Sequence, residues 1–484
     1  MAAGSLDAVV VGSGPNGLAA ALALAHAGLS VQVLEAKSAP GGGCRTDELT
    51  LPGFSHDVCS TIQSMVGLSP FFREFPDVID AITMRAPELA FAHPLDNGRA
   101  AFVSTSLDDT VAGLGPDGHT YRRVMEPLVN DAPRLAATVL APLRALPSNP
   151  LTMAHFARHG LPSAHHLAKR FSTLEARALM AGVCAHAMLP LDAPVTAAFG
   201  LFLTATAHSG GWPVVEGGSG QLVNALVAAL QKERVEIELD RPVRSMTDLP
   251  SARATVFDTS VPGLLGIAGE GLSSRYIRSV SHFERGPGVF KVDWALSGPV
   301  PWTAEDARRA GTVHLGGTFE EIAASEDDVA HGRHSEKPYC IVVQASVADD
   351  TRAPAGQHTL WAYCHVPNGS SVDMTEQIER QIERFAPGFR DLVLARVSTS
   401  TAEGEHHNAN YLGGDISGGA GTLRQTIFRP ALRWNEYRTG AKGLYLCSAS
   451  TPPGGGVHGM CGWGAARTVL RDLGVTPTAA RRSP

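Results

Sequence analysis

The chain of 484 residues has no Cys-x-x-Cys pair. Its seven cysteines, Cys44, Cys59, Cys184, Cys340, Cys364, Cys447 and Cys461, are scattered and odd in number. That pattern argues against a zinc ribbon, a disulfide framework and a dithiol reductase, all of which pair thiols at close spacing. Lysine and arginine form no stripe and the formal net charge is −7, so a nucleic-acid partner is not expected. The first lysine is Lys37 and the first arginine Arg45, which leaves no basic segment to open a signal peptide. The most apolar stretch, Gly17 to Leu29, carries His26 and is too short to span a bilayer. No internal repeat or low-complexity linker is visible. These absences predict a cytoplasmic protein, with room left for a peripheral membrane contact.

What the chain does have is glycine, 51 residues of it, gathered into short motifs rather than spread as low complexity. Such clusters mark turns and close approaches of backbone to a ligand. At roughly 100–200 residues per domain, the length predicts two or three units with cores of their own.

The chain opens with a βαβ pattern. Residues 6–11 (LDAVVV) read as a buried parallel strand, 17–27 as a small-residue helix ended by Gly28, and 31–35 (VQVLE) as a second strand. Residues 107–210 read as mainly helical. A glycine turn and amphipathic helix return at 216–233, followed by strands at 234–246 and 254–261. From about 286 to 366 strand-like runs alternate with loops. Residues 373–386 read as a helix on the spacing of Ile378, Ile382 and Phe385. A last buried strand, 443–447, precedes a glycine turn and a closing helix from about 457 to 473.

Gly12-Ser13-Gly14-Pro15-Asn16-Gly17 is a GxGxxG directly after a strand and opening a helix. Gly12 permits the tight turn, Gly14 lets the backbone approach a pyrophosphate, and Gly17 lets helix and strand pack closely. The helix N-terminus then presents free N–H groups to the phosphates. Alone the motif is weak. Here Glu35 ends the second strand 18 residues after Gly17, followed by Ala36. A carboxylate there accepts hydrogen bonds from ribose hydroxyls and repels a 2′-phosphate, which selects FAD or NAD over NADP. The second glycine turn, Pro40-Gly41-Gly42-Gly43-Cys44-Arg45-Thr46, favours FAD: its backbone and Arg45 can reach the far end of the pyrophosphate or the flavin. No second GxGxxG marks a dedicated NAD(P)H domain. Near the C-terminus, a strand leads through Pro452-Pro453 and Gly454-Gly455-Gly456 into a helix, an arrangement suited to the flavin edge where negative charge develops on reduction.

These three stretches, VVVGSGPNGLAAALALAHAGLSVQVLEA, GGGCRT and GLYLCSASTPPGGGVHG, resemble the phytoene desaturase (carotenoid dehydrogenase-like) FAD oxidoreductases, in particular the bacterial phytoene dehydrogenase-related branch. The likeness is taken to cover essentially the whole chain, specific at both ends and loose in the middle. It implies an α/β fold of the amine-oxidase type: a Rossmann-type FAD-binding domain from 1–60, 215–265 and 410–484, interleaved with a mixed-sheet and helical substrate domain from 61–214 and 266–409. It also implies that Val243 offers its backbone to the adenine and that Gly456, Val457 and His458 lie against the flavin. One position departs: many relatives place an acidic residue after the last strand to hold the ribityl chain, and here Ser448 follows Cys447.

The expected site therefore comprises Gly12, Gly14, Pro15, Asn16, Gly17, Glu35, Ala36, Gly42, Gly43, Arg45, Thr46, Val243, Ser448, Gly456, Val457 and His458 for FAD. His56 and His458 are the proton-handling candidates because of their places beside the two glycine turns. His186 and His208 are candidates for lining a substrate channel, against the plainer reading of satisfied core histidines among the 19 in the chain. Residues 408–415 (NANYLGGD) read equally as a substrate-facing wall or a structured loop. In 289–296 (VFKVDWAL), Phe290, Val292, Trp294 and Leu296 share one face, which either lines a cavity or is plain core. The expected activity is FAD-dependent oxidation or reduction of CH–CH bonds in a largely apolar, isoprenoid- or lipid-like small molecule, with an electron acceptor that the sequence does not name. A flavin-dependent double-bond isomerase and a non-enzymatic FAD scaffold are the alternatives. An amine oxidase ranks low, because the chain has only six lysines and only Lys442 lies near the terminal motif.

Overall fold

The computed structural model describes residues 6–96, 98–142 and 147–475. Two sheets organise the chain. The first has five strands in the order Leu444–Leu446, Ala252–Phe257, Leu6–Val11, Val31–Leu34 and Glu236–Glu238, every neighbouring pair parallel. Parallel neighbours need crossover connections, so the strands come from three stretches far apart in the chain. Helices Pro15–His26, Gly220–Lys232 and Met460–Leu473 stack over it. Pro15–His26 is alanine-rich and almost entirely buried, as a helix sandwiched between sheet and two neighbours must be. Gly462 faces the backbone of Asn16 and Ala20 where two of these helices cross, with no room for a Cβ.

The second sheet has seven strands in the order Val393–Thr399, Gly288–Leu296, His358–Val366, Cys340–Val343, Ala310–Leu315, Leu89–Pro94 and Ala100–Ser104. All pairs are antiparallel except Ala310–Leu315 with Leu89–Pro94. On one face Phe290, Val292, Trp294 and Leu296 pack with Ile378, Ile382 and Phe385 of helix Thr375–Phe385. That apolar face is core, not cavity. Between residues 107 and 210 lie the helices of the lobe, including Gly118–Asn130, Pro150–Gly160, Leu174–Cys184 and Thr196–Gly210.

Two sequence expectations shorten. The strand expected at 254–261 ends at Phe257, because Ser260 accepts a hydrogen bond from the Gly263 amide at 3.2 Å and starts helix Val261–Ala268. The strand expected at 234–246 is only Glu236–Glu238.

A buried ionic junction ties the seven-stranded sheet to the short strand pair Thr46–Asp47 and His56–Asp57 that follows the second glycine turn. Lys291, from the polar side of strand Gly288–Leu296, donates to both oxygens of Asp293 at 2.7 Å and to the Asp57 carbonyl at 2.9 Å. Arg352, fully buried, donates to Asp57 at 2.9 Å, Asp349 at 2.6 Å and the Val215 carbonyl at 3.0 Å. Asp57 further accepts from Thr46 Oγ1 at 2.7 Å and from the Ser219 amide at 2.8 Å. Buried charges hold their place only when paired and hydrogen-bonded in this way.

Candidate functional site

One cavity of about 1060 Å³ runs from the glycine turns of the parallel sheet to the helical lobe. At roughly 300–1,000 Å³ for one ordinary ligand, it has room for more than a single small molecule.

Its first wall is backbone. Gly12 (φ +100°), Gly42 (φ +55°) and Gly456 (φ +126°) adopt conformations that a side chain would strain. A Cβ on Gly14 would stand 2.7 Å from Asp258 Oδ2. Helix Pro15–His26 starts at Gly14 with no cap from its own N-cap residue and no acid in its first turn; the Asp258 carboxyl takes the Gly17 amide, and the cavity meets the helix at Gly14, Pro15 and Asn16. Asn16 lines this end, 7% exposed, and its Oδ1 has no hydrogen-bond partner. Glu35 is pinned on the floor: one oxygen accepts from the Ser13 amide at 2.9 Å and Oγ at 2.5 Å, the other from the Lys37 amide at 2.9 Å.

Most of the expected residues meet here. Gly12, Gly14, Pro15, Asn16, Glu35 and Ala36 line the cavity, as do Gly42, Gly43, Arg45 and Val243. Ser448, Gly456, Val457 and His458 close it from the other end of the chain. Arg45 is partly occupied in the fold, donating to the Gly42 carbonyl at 3.0 Å and the His407 carbonyl at 2.9 Å.

Three expected residues do not line it. Gly17 sits behind the turn against Gly12, its amide donating to Asp258 Oδ2 at 2.9 Å. Thr46 is spent on Asp57 and on the Gly220 amide. His56, expected near a flavin, is instead buried in the ionic junction, 2.8 Å from Thr50 Oγ1 and 3.5 Å from Asp293. The short strand His56–Asp57 pairs back on Thr46–Asp47, which turns the imidazole away from the cavity.

His458 does reach the cavity, fully buried. Its Nδ1 accepts from the Met460 amide at 3.1 Å, so the ring proton resides on Nε2, which makes no well-formed hydrogen bond. Burial lowers it to about 4. It is therefore a neutral N–H donor near pH 7.

Asp258 is the main residue that sequence reasoning missed. It follows strand Ala252–Phe257 and lines the cavity under the first glycine turn. Burial raises its carboxyl to about 7, with Glu35 adding to the effect while the Gly17 amide opposes it. Extending the strand to residue 261 hid it; a carboxylate at a parallel-strand end beside a GxGxxG was the available signal. The segment 408–415 turns out to be divided. Asn408 to Tyr411 line the cavity, and Asn410 clamps the Asp258 loop by donating to the Asp258 carbonyl at 3.0 Å and accepting from the Ser260 amide at 2.7 Å. Asp415 instead accepts from the Gly286 amide at 2.8 Å as part of a turn.

The far wall is made of side chains. Met153, Phe156, Leu161, Phe199 and Phe202 supply apolar surface from the lobe, facing Trp361 and Tyr363 of the mixed sheet. His186 lines this part and shares a 2.9 Å Nε2–Nε2 contact with buried His314. Burial lowers His186 to about 3 and also holds His314 well below the ordinary histidine range. Two nitrogens at that distance need one proton between them, so both rings are neutral and of opposite tautomer. His208, also a channel candidate, lies outside the lining and bonds Tyr121 at 2.8 Å. Cys44 and Cys59 line the cavity as free thiols that burial pushes up, which suppresses thiolate chemistry. Among the described residues no cluster suits a metal ion and no helix is long and apolar enough to cross a membrane.

Residues 10–75 match the NAD(P)-binding Rossmann-like domain. The chain is 25% identical to the rat pyridine nucleotide-disulfide oxidoreductase domain-containing protein 2 over 96% of its own length and 94% of the rat protein. Against the zeta-carotene-forming phytoene desaturase of Myxococcus xanthus it is 51% identical, over 12% of this chain and 11% of that one. The likeness to phytoene desaturases covers part of the chain, 32% of it for the Rhodobacter capsulatus enzyme, where the end motifs implied the whole. A solved putrescine oxidase bound to putrescine superimposes with a TM-score of 0.62 at 19% identity, covering 97% of this chain and 99% of that one. The architecture is accordingly the expected one: a Rossmann-type domain interleaved with a mixed-sheet and helical unit, as in amine-oxidase-like flavoproteins.

Proposed function

We propose that this protein is an FAD-dependent oxidoreductase acting on CH–CH bonds of a largely apolar small molecule. The observation that carries the reading is the continuity of the cavity: one end is a glycine cradle at a helix N-terminus, the other an apolar chamber. The residues present fit the cofactor. The Glu35 carboxylate and the unpartnered Asn16 Oδ1 are acceptors that suit the hydroxyls of the cofactor's sugar parts, the positive-φ glycines let backbone approach the pyrophosphate, and the Gly454–His458 turn suits the flavin edge. FAD, when bound, supplies the hydride acceptor or donor.

The chain's own contributions are positional. Gly14 and Gly42 let backbone approach the phosphates. Glu35, already oriented by Ser13 and Lys37, accepts from ribose hydroxyls. His458 presents a neutral N–H beside the Gly456 turn. Phe156, Phe199 and Phe202 exclude water from the reacting carbons and bind an apolar body. His186 and His314, both neutral, add no charge to that chamber.

The test is the colour of the purified protein and what heat releases from it. The expected result is a flavin absorbance spectrum and FAD in the supernatant by chromatography. A protein that stays colourless after refolding with FAD ends this reading. With flavin present, anaerobic bleaching by an isoprenoid or lipid substrate identifies the redox direction.

A further inference from the structure

Arg429 follows the short helix Leu423–Phe428, lines the cavity and is only 5% exposed. Its guanidinium carries five N–H donors. One hydrogen bond is made, to the Gly419 carbonyl at 3.1 Å, and Nε has no partner. Among the described residues no carboxylate forms an ion pair with it within 4.0 Å. Asp415 attracts it from a distance, but the Asp415 oxygens are occupied by the amides of Gly286 at 2.8 Å and Ser417 at 2.9 Å. Phe283 lies beneath the cation at 6.0 Å.

The contrast with Arg352 is direct: that equally buried arginine has two carboxylates and a carbonyl. A buried guanidinium without a counter-ion is costly. The fold nevertheless fixes its place, since the guanidinium packs against Gly454 and Gly419 with no room for a side chain at either. Leu423, Thr426 and Ile427 of the adjoining helix line the same cavity, continuous with Phe199, Phe202 and Met153 of the lobe. Arg429 therefore stands between an apolar wall and the Gly455–His458 turn.

We propose that Arg429 binds the carboxylate of an apolar acid, with the head group held bidentately by the guanidinium and the hydrocarbon body laid along the helical lobe. The substrate class is thereby narrowed from an apolar molecule to an amphiphile with one anionic end. This rests on the reading of the cavity as the site of an apolar substrate. Carboxylate matches the flat fork of arginine, and a charge-assisted pair in a dry site is the strong form of the contact.

The experiment compares decanoate with 1-decanol, the same chain without the charge, by titration calorimetry on the protein as purified. Decanoate is expected to bind at least ~10-fold tighter. Arg429→Met is expected to abolish that preference and Arg429→Lys to retain part of it. Equal binding of the two probes to the wild-type protein overturns the proposal, and needs no variant to fold. So does an Arg429→Met protein that keeps the preference. A shifted flavin midpoint potential in Arg429→Met with the preference unchanged also overturns it, because the arginine then serves the cofactor. Decanoate preference in a protein devoid of flavin leaves the anion site standing and removes the flavin reading, so the two fail separately.

Discussion

The two ends of the cavity are built from different materials. At the parallel sheet the wall is mostly main chain: glycines at positive φ and a helix N-terminus, with the Glu35 and Asp258 carboxyls held by backbone amides. At the mixed sheet and helical lobe it is side chain: phenylalanines, methionine, a histidine pair and an arginine. Backbone sites leave little freedom, because a glycine cannot be replaced where a Cβ has no space. Side-chain sites leave much, because apolar volume can be supplied in many ways. The lesson is that the cofactor end is constrained to a pattern and the substrate end only to a volume and a few polar points.

Substitution tests that contrast. The largest effect is expected from Gly462→Ala, which sets a methyl against the Asn16 carbonyl and the Ala20 amide where helices Met460–Leu473 and Pro15–His26 cross. A loss on the order of 3 kcal/mol in urea unfolding is expected, with weakened cofactor retention, because backbone cannot yield as a side chain can. An unchanged midpoint would show that the backbone-built end is softer than its geometry implies.

Across the cavity the substrate-end His186 and the cofactor-end Asp258 respond to pH with opposite sign, while His458 at the cofactor end, lowered to about 4, follows His186. Buried His186 (about 3), His93 (about 4) and His208 (about 4) stay neutral in the fold but protonate when unfolded below an ordinary value of 6.5. The unfolded state then binds more protons, so stability drops as pH falls from about 6.5 towards 4, by up to about 1.4 kcal/mol per unit for each group. Asp258 (about 7 against 3.8) works the other way: the fold holds its proton, so stability drops as pH rises from about 4 to 7. Several histidines oppose one carboxyl, so net loss on the acid side is expected in unfolding measurements on cofactor-stripped protein. Asp258→Asn should steepen that acid loss and His186→Asn should flatten it. The reverse pattern would mean that the two ends do not differ in this way.

The smallest effect is expected from Phe202→Leu in the apolar wall, about 1 kcal/mol or less in stability. Its signature is a change in which chain length of bound ligand is preferred, with cofactor content unchanged. Loss of cofactor in this variant would break the division between the two ends.

Legibility follows the same line. The GxGxxG, Glu35 and the terminal glycine turn were readable because each is a local pattern whose residues sit together in the chain as well as in space. Asp258 and Asn410 were not, since one lies at a strand end taken to be longer and the other is brought to it across 152 residues. Strand Gly288–Leu296 shows what periodicity leaves open: its apolar face read as cavity lining or as plain core, and it is core. Its alternation was right, and the apolar face packs on helix Thr375–Phe385 while the polar face carries the junction lysine. Scarcity of lysine likewise concealed that Lys291 is fixed beside Trp361, whose ring borders the cavity 5.4 Å away.

The sequence by itself determined the nucleotide cradle, the parallel βαβ start and the two-ended character of the site, because backbone turns and strand–helix junctions are local and glycine-dependent. Only the tertiary structure decided that His56 belongs to an ionic junction, that His186 and His314 share a proton, and that Arg429 is buried with no carboxylate paired to it among the described residues. Those properties depend on which long-range neighbours remove water from a side chain, and burial, pairing and charge state arise only when distant segments close on one another.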